Sequence, residues 1–252
     1  MKPALKETFI DRWRKYFAGT ALPITFYYSN DTGGAEMAEK PAGRSCFICE
    51  LAKVRNGKSL VFNKENLFCS GAKRYLGFTG NLRPGFEYFL SCGNDAMEGE
   101  RYKQSPEIVL ELMKNQVHTA KEGQNIVFKR WDMLTESDEP EVVIFFARPD
   151  VLSGLFTLAG FDRAGSDAVI APFGAGCGSI VHYPYLESLK DDPRAVIGMF
   201  DPSARPCVAD DVLTFALPMM MFEKMTGYMD ESFLITGTWT AIRNRITKSP
   251  SH

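Results

Sequence analysis

Two cysteines three residues apart, Cys46 and Cys49 in "RSCFICELAKVRNG", have the plainest capacity for chemistry in this chain. A C-x-x-C spacing lets two sulfur atoms meet on one metal ion or cluster, or close a disulfide. The remaining cysteines are Cys69, Cys92, Cys177 and Cys207. None of them forms a second local pair, so a four-ligand site has to be assembled from distant segments. Cys46, Cys49, Cys69 and Cys177 are the first candidates for it. Thiolates suit zinc and iron–sulfur clusters because both accept soft sulfur donors. A thioredoxin-like dithiol is a second reading, since a local C-x-x-C can lower one thiol pKa. The third is structural: cysteine is often buried, and Phe47 and Ile48 between the pair suit a core.

A second distinctive stretch is "APFGAGCGSIVHYPYLE" at 171–187. Its glycines, Gly174, Gly176 and Gly178, allow a tight turn and a close approach of backbone to a ligand. A helix starting near Ser179 would aim unpaired amides at a phosphate or carboxylate, with Cys177 beside it. The stretch lacks both the Gly-Lys-Ser/Thr ending of a phosphate loop and the full dinucleotide fingerprint. The alternative is a strand-to-helix turn that simply needs small residues.

Further along, "FDPSARPCVADD" at 200–211 supplies Arg205, able to clamp a carboxylate or phosphate, and Asp201, Asp210 and Asp211 for acid, base or hard-metal chemistry. Lys73 and Arg74 beside "CSGA" form another basic pair. Solvated surface charge is the competing reading for each of these. Of three histidines, His118, His182 and His252, none has a ligand spacing, and His182 reads as a core or surface residue. No Ser-His-Asp order and no glycosidase carboxylate pair can be picked out.

The elements that must position these residues follow from periodicity. Leu5, Phe9, Trp13 and Phe17 share one helical face, with Gly19 as the stop, and "LPITFYY" at 22–28 reads as a strand. A glycine-rich, charged loop at 30–44 delivers the chain to a short helix from Cys46 to Arg55. "SLVF" at 59–62 is a strand, "CSGAKRYLGF" at 69–78 a turn and short helix capped by Ser70, and Ser105–Pro106 opens a further helix. From about residue 141 strands and helices alternate: strands at 142–147, 168–173 and 195–200, and a helix from Pro149 to Gly160. The stretch 211–217 reads either as a strand or as a helix interrupted by Pro218. The expected fold is α/β or mixed α+β, a central, mainly β sheet with flanking helices. One unit spanning 1–252 is expected, with a subdivision near 133–140 as the variant.

Length and charge narrow the function classes. At 252 residues the chain can fold without disulfides or metal. Its 19 Phe, 9 Tyr and 3 Trp imply a large aromatic core or an apolar cavity. Net charge is −2 with dispersed Lys and Arg, which argues against a nucleic-acid partner. No apolar run approaches the roughly 18 residues of a membrane span. A cytoplasmic location is expected, where cysteines serve as thiols or ligands more often than as a disulfide framework.

Taken together, "CELAKVRNGKSLVF" at 49–62, "CSGAKRYLGF" at 69–78, "GCGSIVHYPYL" at 176–186, and "MFDPSARP" with "DDVLTFALP" within 199–218 resemble the conserved family catalogued as domain of unknown function 169. By that resemblance Cys69 and Gly71 belong to a cysteine–glycine segment preceding Leu76–Gly77. Cys177 matches the cysteine ahead of a Tyr/Pro-rich helix, Arg205 a family arginine, and Cys46 or Cys49 the first family cysteine. Many relatives carry another cysteine near the position of Met199 or Phe200, where this chain has none; Cys207 is the spatial substitute to look for. The resemblance implies one intracellular domain with a shared pocket and supplies no reaction.

Three function classes remain. The first is a cofactor- or metal-binding protein, with an iron–sulfur cluster or zinc on Cys46, Cys49, Cys69 and Cys177. The second is an enzyme or sensor for a small anionic ligand held by Gly174, Gly176, Gly178, Ser179 and Arg205. The third is a structural or interaction protein with buried cysteines. Converging thiols would favour the first, and a polar pocket at 174–179 without them the second.

Overall fold

The computed structural model describes residues 1–39, 46–121 and 124–248. Residues 40–44 of the glycine-rich loop and His252 lie outside the described residues. The strands are β1 (Ile24–Ser29), β2 (Glu36–Met37), β3 (Leu60–Phe62), β4 (Gly93–Asn94), β5 (Met97–Glu98), β6 (Asn125–Arg130), β7 (Val142–Ala147), β8 (Val169–Ile170), β9 (Ala195–Gly198) and β10 (Leu213–Pro218). The α-helices are α1 (Pro3–Tyr16), α2 (Phe47–Arg55), α3 (Ser70–Tyr75), α4 (Phe86–Leu90), α5 (Pro106–Lys114), α6 (Pro149–Ala159), α7 (Tyr183–Ser188), α8 (Met219–Tyr228) and α9 (Gly237–Lys248).

Eight strands form one mixed sheet in the order β2-β3-β6-β1-β7-β10-β9-β8, which gives the expected mixed α/β architecture. Its centre is antiparallel, and only the outer pairs β2/β3 and β8/β9 are parallel. The sheet continues across the polar connection at 133–140, because β1 lies between β6 and β7.

Period-two alternation divides the side chains between two cores. From β7, Val143, Phe145 and Ala147 enter one core while Val142 and Ile144 enter the other. The first core is packed by α1, α6, α8 and α9. Phe9, Trp13, Trp131 and Phe222 form its aromatic centre, with Trp13 and Phe17 stacked at 4.3 Å and Phe9 tilted against Phe222 at 4.7 Å. Each such fully buried ring contributes about 2–3 kcal/mol. The second core is covered by α2, α3 and the helical stretch ending in α7, and Cys46, Cys69, Cys177 and Cys207 belong to it.

Several expectations are sharpened. The stretch 211–217 is a strand, β10, and Pro218 ends it before α8 begins. The 168–173 strand shrinks to Val169–Ile170, since Pro172 has no N–H for the ladder and 171–176 turns off the sheet. Ser70 is not the cap of α3: Cys69 is, with extended φ −76° and ψ 115°, and its carbonyl accepts the first helical bond from Lys73 N–H at 2.9 Å.

Between α3 and β6 the chain makes an excursion containing α4, the β4–β5 hairpin and α5. Its neck is a hydrogen bond from the Lys121 amide to the Gly77 carbonyl, 2.9 Å. Gly77 has φ +81°, and a Cβ there would stand 2.3 Å from the Thr119 carbonyl oxygen, so the neck requires glycine. We call the excursion the cap.

Candidate functional site

A cavity of about 670 Å³ lies between the second core and the cap. Its floor comes from Cys46, the start of α3, and loops 171–177 and 199–204; its roof comes from 81–90, 100–102 and 112–116. A cleft beside α6 and α8 measures only about 10 Å³ and holds at most one water.

Three of the four candidate ligand cysteines, Cys46, Cys69 and Cys177, line this one cavity. Each stands at the entrance to a helical segment. Cys46 caps α2, Cys69 caps α3, and Cys177 precedes a wide π turn, Gly178–His182, that runs into α7. Unsatisfied amides at such positions favour negative charge on sulfur. At Cys46 burial pushes the thiol up, and hydrogen bonds from the amides of Ile48 and Cys49 only partly offset it. Cys177 is buried, and burial, reinforced by nearby Cys69, Cys46 and Asp201, raises its pKa well above the usual thiol value. Among the described residues, no three His, Cys, Asp or Glu side chains are grouped to hold a single metal ion.

Cys49 has a different partner. It forms a disulfide with Cys207, Cα–Cα 4.7 Å, across 158 residues of sequence. The Cys46–Cys49 pair is therefore split: Cys46 faces the cavity, while Cys49, in the exposed first turn of α2, is bonded to the short 3-10 turn Arg205–Cys207. The expectation that the cysteines serve as thiols or ligands more often than in disulfides does not hold for these two. Cys92 is exposed at the start of the β4–β5 hairpin and does not line the cavity.

The glycine-rich turn meets the cavity through Gly174, Gly176 and Ser179, whereas Gly178 lies against the Tyr75 ring. A Cβ on Gly176 would come within 2.9 Å of Ala204 Cβ and 3.0 Å of Met199 Sδ, so its absence lets the turn pack on the 199–204 loop. The helical stretch begins at Gly176, earlier than Ser179, and the Ser179 amide is spent on the Ala175 carbonyl at 3.1 Å. Ser179 Oγ donates to the Gly176 carbonyl at 2.8 Å and accepts from the Met199 amide at 3.3 Å. The Gly176 amide donates to Asp201 Oδ2 at 3.1 Å. The turn thus already holds a carboxylate from its own chain.

Arg205 lies outside the cavity lining. Its guanidinium donates to the carbonyls of Ala209 at 3.0 Å and Asp210 at 2.6 Å, and also to that of Val212, so it braces its own loop. Arg74 and Arg83 are the guanidinium groups that do line the cavity. His182 is buried beneath Tyr75, 5.8 Å between ring centroids, and its Nδ1 has no hydrogen-bond partner. Burial, with smaller contributions from Arg74 and His118, pushes its pKa down to about 4. It is a neutral core histidine.

The pattern of the sequence did not flag the cap's contribution. Its one local mark is Gly85, at φ +76°, ahead of the aromatic "FEYFL" of α4.

Residues 20–227 match the family catalogued as domain of unknown function 169, described as an uncharacterised ArCR family. The chain belongs to that family. The match covers the sheet, the second core, the cap and all six cysteines, and leaves α1 and α9 of the first core outside it. Within this member of domain of unknown function 169, the cysteine–glycine segment at Cys69, the cysteine at 177 and Cys46 bound one cavity, while the arginine at 205 braces a loop. No curated protein and no solved structure matches the chain. No helix among the described residues is long and apolar enough to cross a membrane.

Proposed function

We propose that this protein is a cofactor-binding protein whose cavity holds an iron–sulfur cluster on Cys46, Cys69 and Cys177. The observation that carries the reading is that three cysteines from separate segments, each at a helix entrance, line the same cavity. A single zinc ion with bonds of about 2.3 Å needs its sulfur ligands within about 4 Å of one another. A polynuclear cluster takes its thiolates on different iron atoms and tolerates wider spacing, which suits this arrangement better than zinc does. Helix-entrance amides would offset the negative charge of thiolates and bridging sulfide. Cluster assembly would release the protons that burial keeps on Cys46 and Cys177. Electron transfer or simple cluster retention are the roles such a centre offers.

Anaerobic purification followed by visible absorption and elemental analysis tests the proposal, with iron–sulfide reconstitution where a labile cluster has been lost. Stoichiometric iron and sulfide with broad visible absorption are expected, and the Cys69→Ser and Cys177→Ser variants should lose both. A folded, colourless protein that takes up no iron on reconstitution would exclude the cluster. Stoichiometric zinc without colour would replace it with a mononuclear site.

A further inference from the structure

The cavity is far larger than a metal centre requires. At about 670 Å³ it falls in the range of roughly 300–1,000 Å³ typical of pockets for small organic molecules. Its roof sets Phe86, Phe89, Leu112 and Met113 beside Arg83, whose guanidinium lies on the Phe89 ring at 4.1 Å, and it is thinly supported. In α4 no residue is buried, and in α5 only Val109 is. Phe86, Phe89, Leu112 and Met113 are half-buried because they face the cavity. Side chains lining an empty space forgo dispersion contacts that an occupant would restore.

The polar groups of the cavity are unevenly committed. Asp201 accepts from Gly176 and from Ser203, and Glu100 is hydrogen-bonded to Tyr102. Arg74 donates through Nη1 to the Gly80 carbonyl at 2.5 Å, and among the described residues it has no carboxylate partner. A guanidinium without a counterion, opening onto an apolar cavity, selects an anionic group on an apolar body. The glycine-rich turn cannot take that group, because the Asp201 carboxylate already occupies its amide. We infer that the cavity binds a small organic acid: a planar or aliphatic body under the cap against Phe86, Phe89, Leu112 and Met113, with its carboxylate or sulfonate on Arg74. The roof is latched to the floor where Lys103 Nζ sits 4.0 Å from the centre of the Phe173 ring.

The inference rests on the cavity and does not depend on the thiols. Its test is a fluorescence titration of the folded chain with 8-anilinonaphthalene-1-sulfonate, alongside the uncharged N-phenyl-1-naphthylamine. Saturable one-to-one binding of both probes is expected. Arg74→Met should weaken the sulfonate about tenfold and leave the uncharged probe unchanged. Met113→Trp should fill the roof and abolish binding of both, and Leu82→Trp serves the same purpose if that variant does not fold. A Cys46/Cys69/Cys177→Ser triple variant should keep sulfonate binding, so failure of the cluster and failure of this site read out separately. No saturable binding, or binding indifferent to both Arg74→Met and the Trp variants, would overturn the assignment.

Discussion

The Asp201 carboxylate accepts the Gly176 amide across 3.1 Å, so the glycine-rich turn is closed by an anion from the loop that follows β9. The same carboxylate accepts from the Ser203 amide at 3.0 Å and from its hydroxyl at 2.8 Å, tying two walls of the cavity together. Asp201→Ala leaves these donors without their acceptor and should cost about 1.5–3 kcal/mol, measured as a shift in urea midpoint. Asp201→Asn, which keeps an acceptor oxygen, should lose less than half as much. Equal losses in the two variants would show that the charge, and not the acceptor, closes the turn.

The Cys49–Cys207 disulfide closes a loop of 158 residues. Long closures restrict the unfolded chain most, and about 2–5 kcal/mol is the usual scale. Cys207→Ser, or reduction by dithiothreitol, should lower stability by that amount. Thiol titration of the unreduced, denatured protein should find four thiols, Cys46, Cys69, Cys92 and Cys177. Six thiols before reduction would contradict the bond.

Buried His182 gives a signed pH dependence. Its folded pKa, about 4, lies below the ordinary 6.5, so the unfolded chain binds the proton more readily. Its contribution is intact above about pH 6.5 and should be lost as pH falls towards 4, by about 3 kcal/mol in all. Glu141, whose carboxyl is pushed up mainly by burial, titrates with the opposite sign, so the comparison needs a variant. Stability of His182→Phe should fall less steeply between pH 6.5 and 4 than that of the native chain. An unchanged slope would place the titration elsewhere.

Gly154 on α6 lies against Trp239 of α9 and Phe17. A Cβ there would stand 2.4 Å from the indole and 2.9 Å from the phenyl ring. Gly154→Ala should therefore destabilise by about 1–3 kcal/mol despite alanine's better helix propensity. Differential scanning calorimetry would show this as a lowered Tm, and a raised Tm would mean that the two helices separate easily.

What could be read from the sequence followed from simple patterns. The face of α1, strand β7 between turn signals, and Pro149 and Gly160 at the ends of α6 all obey local rules. Strand β6 does not, because the lysine in it is buried. Lys129 Nζ lies 2.8 Å from Asp138 Oδ1 and donates to the Gly33 carbonyl at 2.6 Å, so a central strand carries a charge that only these partners explain. The cysteines were legible as candidates by type. That Cys69 and Cys177 would join Cys46 around one cavity while Cys49 turned to Cys207 depends on how α2, α3 and the π turn are mounted on the sheet. Sequence spacing carries no record of that. Arg205 shows the same limit: a guanidinium suited to an anion is equally suited to the three carbonyls of its own loop, where the structure places it.

The neck of the cap has a bearing on how such a protein diversifies. The chain leaves at Gly77 and returns at Lys121, joined there by a hydrogen bond, and the strands on either side, β3 and β6, are already paired in register through Phe62 and Ile126. Insertions or deletions between those points change the roof without shifting a single rung of the sheet. Cys46, Cys69 and Cys177 all lie outside the interval. Selection can therefore rewrite what the cavity admits while its sulfur-bearing floor is inherited intact.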